Sequence, residues 1–228
     1  MPSILRKLGW EVEEYDILRS RNRNLTKVDV SGRLIARIVA NEFEALIASP
    51  PCNTYTRVMF ANSYGPQPMR TALHPMGFPW LTSLRRRTVQ LANTLTDVTM
   101  RAALAQANNV PGLIIIEFPE DLGAVVRGKW AGQRPASLWQ REEVDQLLKM
   151  KDIRTLGLRQ CDFGTPFARP TRLLARAAMR PHSIFWGRPV FDAAGYYVGP
   201  IPPAPAGLVP LARARNEPGF RTTGPALT

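Results

Sequence analysis

Residues 43–57 read Phe-Glu-Ala-Leu-Ile-Ala-Ser-Pro-Pro-Cys-Asn-Thr-Tyr-Thr-Arg, and the fold prediction starts from them. The apolar run at 44–49 is short and typical of a buried parallel strand. The two prolines after it can neither extend a hydrogen-bond ladder nor start a helix at once, so the strand must end there. Because open α/β sheets bind ligands beside the carboxyl ends of their strands, Cys52 is expected at a functional edge. The alternative is a stiff turn in which Cys52 is only a small apolar filler.

The segments around this stretch predict alternating strands and helices. Residues 10–17 alternate as a strand does and contain Asp16 near their end, and residues 32–41 form an amphipathic helix leading into the strand at 44–49. Strand, helix, strand is the order that a parallel sheet requires. Later segments predict a long helix at 84–108, a buried strand at 113–116, a helix at 137–149 and a strand at 153–160. We therefore expect an α/β protein with a doubly wound, mostly parallel sheet.

Length and composition narrow the class of protein. A chain of 228 residues that is 45% hydrophobic can bury one good core. We expect an α/β domain over residues 1–180 and a Pro/Arg-rich, partly disordered extension over 181–228. The sequence has no apolar run of 18 residues and no signal peptide at its start, which predicts an intracellular protein, cytoplasmic or nuclear, without a membrane partner. Two cysteines and two histidines are too few for most metal sites, so no metal is expected. We also expect the chain to be a monomer.

The charge of the chain points to a polyanionic partner. Thirty Lys and Arg against 18 Asp and Glu give a formal net charge of +12, and most of the cations are arginines, which suit phosphate well. Nucleic acid is the expected partner. A solubilising surface, or the codon composition of a GC-rich genome, is the alternative explanation.

Cations and aromatic residues are interleaved in and around an irregular loop at 61–79. The cations are Arg57, Arg70, Arg85, Arg86 and Arg87, and the aromatic residues are Tyr55, Tyr64, Phe78 and Trp80. This mixture suits an extruded or single-stranded nucleotide, which needs charge for its phosphate and a ring for its base. Arg169 and Arg172 lie in a second basic stretch and are further candidates for nucleic-acid contacts. A solvated surface beside a Pro-stiffened loop is the alternative.

Two predicted strand ends carry reactive side chains. Cys52 follows the strand at 44–49, and Glu117 follows the strand at 113–116, where a carboxylate is costly unless it is paired or used. A thiolate can add to C6 of a cytosine while a carboxylic acid supports N3, and C5 can then accept a methyl group from a sulfonium donor. The pair therefore indicates cytosine chemistry.

The same residues resemble a known family. Ser49-Pro50-Pro51-Cys52 resembles the catalytic Pro-Cys motif of the DNA cytosine C5 methyltransferases. Residues 116–121 resemble their Glu-Asn-Val strand end, and more closely a Glu-x-Pro variant in divergent relatives from phage-like and retroelement-like reading frames. Residues 160–164, with Arg-Pro-Thr-Arg at 169–172, are similar to the segment before the target-recognition part of those relatives. The resemblance covers roughly residues 5–174.

The resemblance implies a class I S-adenosylmethionine-dependent methyltransferase fold and methylation of cytosine C5 in DNA. Cys52 would be the nucleophile, with its pKa lowered by Arg57, and Glu117 would be the acid that supports N3. S-adenosylmethionine would contact three residues: Asp16 through its ribose hydroxyls, Asp29 near its adenine, and Pro51.

The sequence also departs from the family. The glycine-rich turn that holds the donor, and the first strand before it, are missing ahead of residue 4, and glycines supply the close backbone approach in such a turn. Asn53 stands where the family commonly has Gln, and Phe118 stands at the Asn of the Glu-Asn-Val motif. These departures leave two alternatives open: a catalytically inactive nucleic-acid-binding module of a mobile or viral element, and a truncated gene model of a longer enzyme or polyprotein.

Overall fold

A computed structural model describes residues 2–16, 20–61, 65–110, 112–176 and 184–203. The helices are α1 (Pro2–Lys7), α2 (Val28–Val39), α3 (Val58–Ala61), α4 (Ser83–Ala107) and α5 (Glu142–Leu148). The strands are β1 (Ala45–Ala48), β2 (Leu113–Pro119), β3 (Arg154–Arg159), β4 (Pro170–Arg176), β5 (Phe185–Trp186), β6 (Val190–Phe191) and β7 (Tyr197–Gly199). The predicted helices at 32–41 and 84–108 and the strands at 44–49, 113–116 and 153–160 all have counterparts here. The predicted helix at 137–149 is split into a 3-10 turn and α5.

Five strands form one sheet in the order β1-β2-β4-β3-β5, and β6 pairs with β7 separately. β1 and β2 are parallel, while β4 is antiparallel to both of its neighbours, β2 and β3. It follows that β1, β2 and β3 run in one direction and that β4 is inserted between β2 and β3 in the other. The α/β class is confirmed, but the sheet is mixed where we expected a mostly parallel one.

The reversal of β4 follows from its connection to β3. A parallel return would need a crossover of about a dozen residues or more, usually with a helix. Only residues 160–169 separate the two strands, and they contain a 3-10 turn at Gln160–Phe163 that ends on Gly164 with φ 89°. A connection this short brings β4 back alongside β3, so an antiparallel pair results.

The strand predicted at residues 10–17 is wrong for the described part, residues 10–16, which is irregular. The backbone of this segment pairs with no described strand, and its glutamates form hydrogen bonds with arginines of the first two helices. Glu13 accepts from Arg37 of α2 at 2.7 Å, and Glu14 accepts from Arg6 of α1 at 2.7 Å. The alternation of residues therefore reflects a segment docked on helices.

The core lies between the sheet and α4. Along β2 burial alternates, so that Ile114, Ile116 and Phe118 are buried and Glu117 lies on the opposite, half-buried face. Ile114, Ile116 and Phe118 join Met100 and Ala103 of α4 and residues of α5 in the main apolar cluster. α4 therefore covers one face of the sheet.

Part of the predicted extension belongs to the folded sheet. Phe185 and Trp186 of β5 pair with Gly157 and Leu156 of β3. The remaining prediction for the extension, partial disorder, falls largely on residues 204–228, which lie outside the described residues. In the described ranges no helix is both long and apolar enough to cross a membrane, and no group of three or more His, Cys, Asp or Glu could hold a metal ion.

Candidate functional site

The end of β1 lies beside β2, and a hydrogen bond between side chains joins the two. Ala48, the last residue of β1, lies opposite Ile116, so Ser49 lies opposite Glu117 just past the β1–β2 ladder. β2 itself continues to Pro119, so Glu117 lies inside the strand, opposite Leu173 of β4, and does not follow it as predicted. The Ser49 hydroxyl donates to Oε2 of Glu117 at 2.5 Å. No other hydrogen bond to this carboxylate occurs among the described residues, so Oε1 is available to a ligand. The sequence pattern predicts no role for Ser49, although this residue belongs to the quoted motif.

Cys52 lies in the turn after β1 and is partly buried against the main apolar cluster. The turn is closed by the Tyr55 backbone N–H, which donates to the Cys52 carbonyl at 2.9 Å. The buried Tyr55 ring meets the ring of Phe118 edge to face, with centroids 5.2 Å apart. Because Phe118 follows Glu117, the Cys52 turn is linked to β2 through Tyr55–Phe118 as well as through Ser49–Glu117.

Arg70 supports the Cys52 turn from inside the protein. We predicted it as one of the cations of the loop, yet it is 1% exposed and its guanidinium lies 3.9 Å from the centroid of the Tyr55 ring. It donates to Asn93 Oδ1 at 2.8 Å and to the Pro75 carbonyl at 2.9 Å, and burial lowers its pKa. Its place in the site had no sequence signal, because a basic residue in a Pro-rich loop is usually at the surface.

Arg57 fixes the chain after Cys52 to the chain after β2. Its guanidinium donates to the carbonyls of Leu122, Gly123 and Ala124 at 2.8, 2.6 and 2.7 Å. Burial lowers the pKa of Arg57. Three of its five N–H groups are therefore used within the protein. Its predicted contacts, with phosphate and with the Cys52 thiol, stay predictions.

Arg172 is a core residue, which contradicts its predicted contact with nucleic acid. Its guanidinium makes a bidentate pair with Glu120, Nε to Oε1 at 2.8 Å and Nη2 to Oε2 at 2.7 Å, and the two side chains are 1% and 0% exposed. Its Nη1 donates to Thr155 Oγ1 at 2.9 Å and to the Gly187 carbonyl. The Arg-Pro-Thr-Arg pattern looked like a surface stretch because Pro170–Arg176 was not recognised as an inner strand.

The neighbouring residue Asp121 is also buried, and both of its carboxylate oxygens accept hydrogen bonds within the protein. Its carboxylate accepts from Arg134 at 2.7 Å, from Gln140 at 2.9 Å and from the Gly123 N–H at 3.0 Å. The Glu-Asp pair after Glu117 therefore anchors the segments around the site.

The three residues predicted to bind the methyl donor lie on separate segments. Asp29, in the first turn of α2, pairs with Arg33 at 3.2 Å, and the two side chains are more than 60% exposed. Asp16 is exposed at the end of the docked N-terminal segment, and Pro51 is half-buried in the Cys52 turn. No hydrogen bond between these residues occurs in the described chain. Donor binding stays a prediction.

The other predicted nucleic-acid residues are exposed. Arg85, Arg86 and Arg87 lie in the first turns of α4, and Arg169 lies just before β4. None of the four forms an ion pair with an acidic residue in the described ranges. The three arginines of α4 are therefore cations without a counterion at a helix start, where the helix dipole already favours anions.

Comparison with models of protein families, with curated proteins and with solved structures finds no match for this chain.

Proposed function

We propose that the chain is a cytosine C5 methyltransferase-like module in which Cys52 and Glu117 activate a cytosine of nucleic acid. The observation that carries the proposal is the Ser49–Glu117 hydrogen bond of 2.5 Å, because it holds a carboxyl group of β2 beside the end of the strand that leads to Cys52. A thiol and a carboxyl on adjacent strands are the two groups that the chemistry needs.

The α/β class of the fold is compatible with the proposal. β1, β2 and β3 run in one direction, as the strands of a methyltransferase-like sheet are expected to do, while β4 and the short β5 run against them.

In the proposed reaction the Cys52 thiolate forms a bond to C6 of the cytosine. The electron pair of the C5–C6 double bond is displaced toward C5 and the N3 side of the ring, where the Glu117 carboxyl donates a proton or a hydrogen bond. C5 then takes a proton from water. The hydroxide left by that water removes the original C5 hydrogen, the freed electron pair re-forms the C5–C6 double bond as the thiolate departs from C6, and N3 returns its proton to Glu117. The cytosine is restored with an exchanged hydrogen. Bound S-adenosylmethionine would supply a methyl group to C5 in place of the proton.

The three residues predicted to hold the donor lie on separate segments, so no further step is assigned to the donor. Asp29 is on an exposed helix surface with Arg33 as its partner. The activation of cytosine can be tested without the donor.

The test is exchange of the C5 hydrogen, measured as tritium released to water from DNA that contains [5-³H]cytosine, with no donor added. We expect release by the unmodified chain and none by Cys52→Ser. Cys161→Ser is the matched control, because Cys161 is a second half-buried thiol, and it should release tritium at the full rate. Glu117→Gln should slow release by about 100-fold or more, the usual contribution of a general acid.

Ser49→Ala should slow release less than Glu117→Gln does, since it removes the positioning bond but keeps the acid. Two results would contradict the proposal. One is no release above buffer by the unmodified chain on either single-stranded or duplex DNA. The other is equal release by the unmodified chain and Cys52→Ser.

A further inference from the structure

Three aromatic rings are stacked beside the start of α4. The ring of Trp80 lies on that of Phe78, with centroids 4.7 Å apart and planes 10° apart, and Phe78 lies near-parallel to Trp130 at 6.4 Å. Phe78 is 6% exposed, whereas Trp80 is 69% exposed. The His74 ring meets Trp80 edge to face at 5.8 Å. Trp80 therefore rests on Phe78 and His74 while most of its surface is in water, which is an unusual position for such a large apolar ring.

Hydrogen bonds to buried residues fix the loop that carries Trp80. Buried Arg70 and Asn93 donate to the carbonyls of Pro75 and Met76 at 2.9 and 3.2 Å, and the Phe78 N–H donates to the Met69 carbonyl at 2.9 Å. A side chain fixed in this way loses little further entropy when a ligand packs on it.

Positive charge is concentrated next to the exposed ring. Arg86 donates to the carbonyls of Pro79 and Leu81, on either side of Trp80, at 3.1 and 3.2 Å. Arg85 and Arg87, the chain neighbours of Arg86 in the first turns of α4, are exposed, and residues 45–96 contain no Asp or Glu. The charge of this region is therefore uncompensated locally, and a polyanion is its natural complement.

We propose that Trp80 with Arg85, Arg86 and Arg87, the Trp80 platform, binds an unpaired strand of nucleic acid. A base stacks on the open face of Trp80, and the arginines contact the phosphates on either side. An unpaired strand fits better than a duplex, because only an unstacked base can offer its face to a side chain. The site deepens the proposed function by naming the form of its nucleic acid, but it does not require the Cys52 chemistry.

A protein partner would fit the apolar neighbours Leu73, Met76 and Leu84, which are 82, 59 and 75% exposed. The three unpaired arginines and the lack of acids favour nucleic acid, and a protein partner is treated as an outcome of the test.

The experiment measures binding of the full chain to a fluorescent oligothymidylate of about 15 nucleotides, a length suited to single-strand sites. Fluorescence anisotropy gives the Kd at several salt concentrations. Trp80→Ala should raise the Kd by about 10-fold or more, and Trp80→Phe should raise it less. Trp186→Ala is the matched control, since Trp186 is 51% exposed on β5, and its Kd should be unchanged. A plot of the logarithm of the association constant against the logarithm of the salt concentration has a negative slope. Arg85→Ala, Arg86→Ala and Arg87→Ala should each make that slope less steep by about 0.7.

Equal affinities of Trp80→Ala and Trp186→Ala for the oligonucleotide would overturn the proposal, and so would a duplex of the same length bound more tightly than the single strand. No binding at low salt would also overturn it and would leave the surface to a protein partner. The two proposals are tested by separate measurements. Failure of the tritium exchange, with Trp80-dependent binding intact, would refute the proposed function and leave this site standing.

Discussion

The buried pair of Glu120 and Arg172 is expected to be the most sensitive polar contact of the fold. The perturbation is Glu120→Gln, which keeps the size of the side chain and removes its charge. Both side chains are essentially unexposed, and the carboxylate also accepts the Asp121 N–H at 3.0 Å. The substitution leaves a guanidinium without its counterion inside the protein, where water cannot reach it.

Loss of one partner of a buried pair costs about 3–5 kcal/mol. For a domain of this size, each kcal/mol lowers Tm by roughly 2–4 °C, so Tm should fall by about 6–20 °C. Urea unfolding followed by circular dichroism gives the free energy of unfolding, and calorimetry gives Tm. Glu120→Gln combined with Arg172→Met should recover at least about half of the loss, because an apolar replacement of both partners is often tolerated.

A loss below about 1 kcal/mol, as for an exposed pair, would refute this reasoning. Burial raises the pKa of Glu120, while the pair with Arg172 favours the charged form. We expect the bidentate geometry to keep the carboxylate charged near neutral pH. A small loss would mean that burial prevails and that Glu120 is already neutral, so that Gln replaces it at little cost.

Three other predictions concern stability and the Cys52 turn. Gly157→Ala should lower the free energy of unfolding in urea by about 1–3 kcal/mol, because the new Cβ would come within 2.8 Å of Ile201 and 3.0 Å of Glu120 Oε2. Gly32→Ala in α2 is the control: its Cβ would meet no neighbouring atom, so it should raise the free energy of unfolding by about 0.5–1 kcal/mol. Equal effects of the two substitutions would contradict the close packing at Gly157. Burial raises the pKa of Tyr197 to about 12, so only the unfolded chain ionises this phenol near pH 10, and stability should fall as pH rises from about 10 to 12. Tyr197→Phe should weaken this alkaline loss, measured by urea unfolding at each pH, and an unchanged pH dependence would contradict the assignment. Arg70→Gln should loosen the Cys52 turn, because it removes the guanidinium that packs on the Tyr55 ring. In a Cys161→Ser background, Cys52 should then react severalfold faster with a thiol reagent. An unchanged rate would show that Arg70 does not support the turn.

The sequence predicted well the elements whose side chains follow one strong period. β2 and α4 are regular and central, and burial along β2 alternates as a half-buried strand requires. On α4 the period places Val98 and Ala102 correctly in the core, whereas Leu84 and Leu91 are exposed. β4 was missed because it starts with proline and carries two arginines, one of which is buried by its pair with Glu120. No local pattern reveals that a distant carboxylate neutralises an arginine.

The strand predicted at residues 10–17 failed for the opposite reason. Its alternation was real, but the acids at 13 and 14 bind Arg37 and Arg6, so its backbone does not enter the described sheet. At the candidate site, the sequence located the end of β1 to within one residue, but β2 continues to Pro119, so that Glu117 lies inside the strand and not after it. It could not supply the contacts between them, because Ser49 and Glu117 are joined by the pairing register and not by their spacing in the chain.

The whole-chain charge therefore says less about binding than its size suggests. Arg172 is neutralised in the core, Arg57 and Arg70 are engaged with backbone carbonyls, and none of these three is a free surface cation. Arginine suits such positions because its planar group satisfies several acceptors at once while its charge cannot be lost by deprotonation. What remains next to an exposed ring is the run at 85–87. If nucleic acid is bound there, the salt dependence of binding should correspond to about three phosphates, far fewer than the formal charge of +12 would allow.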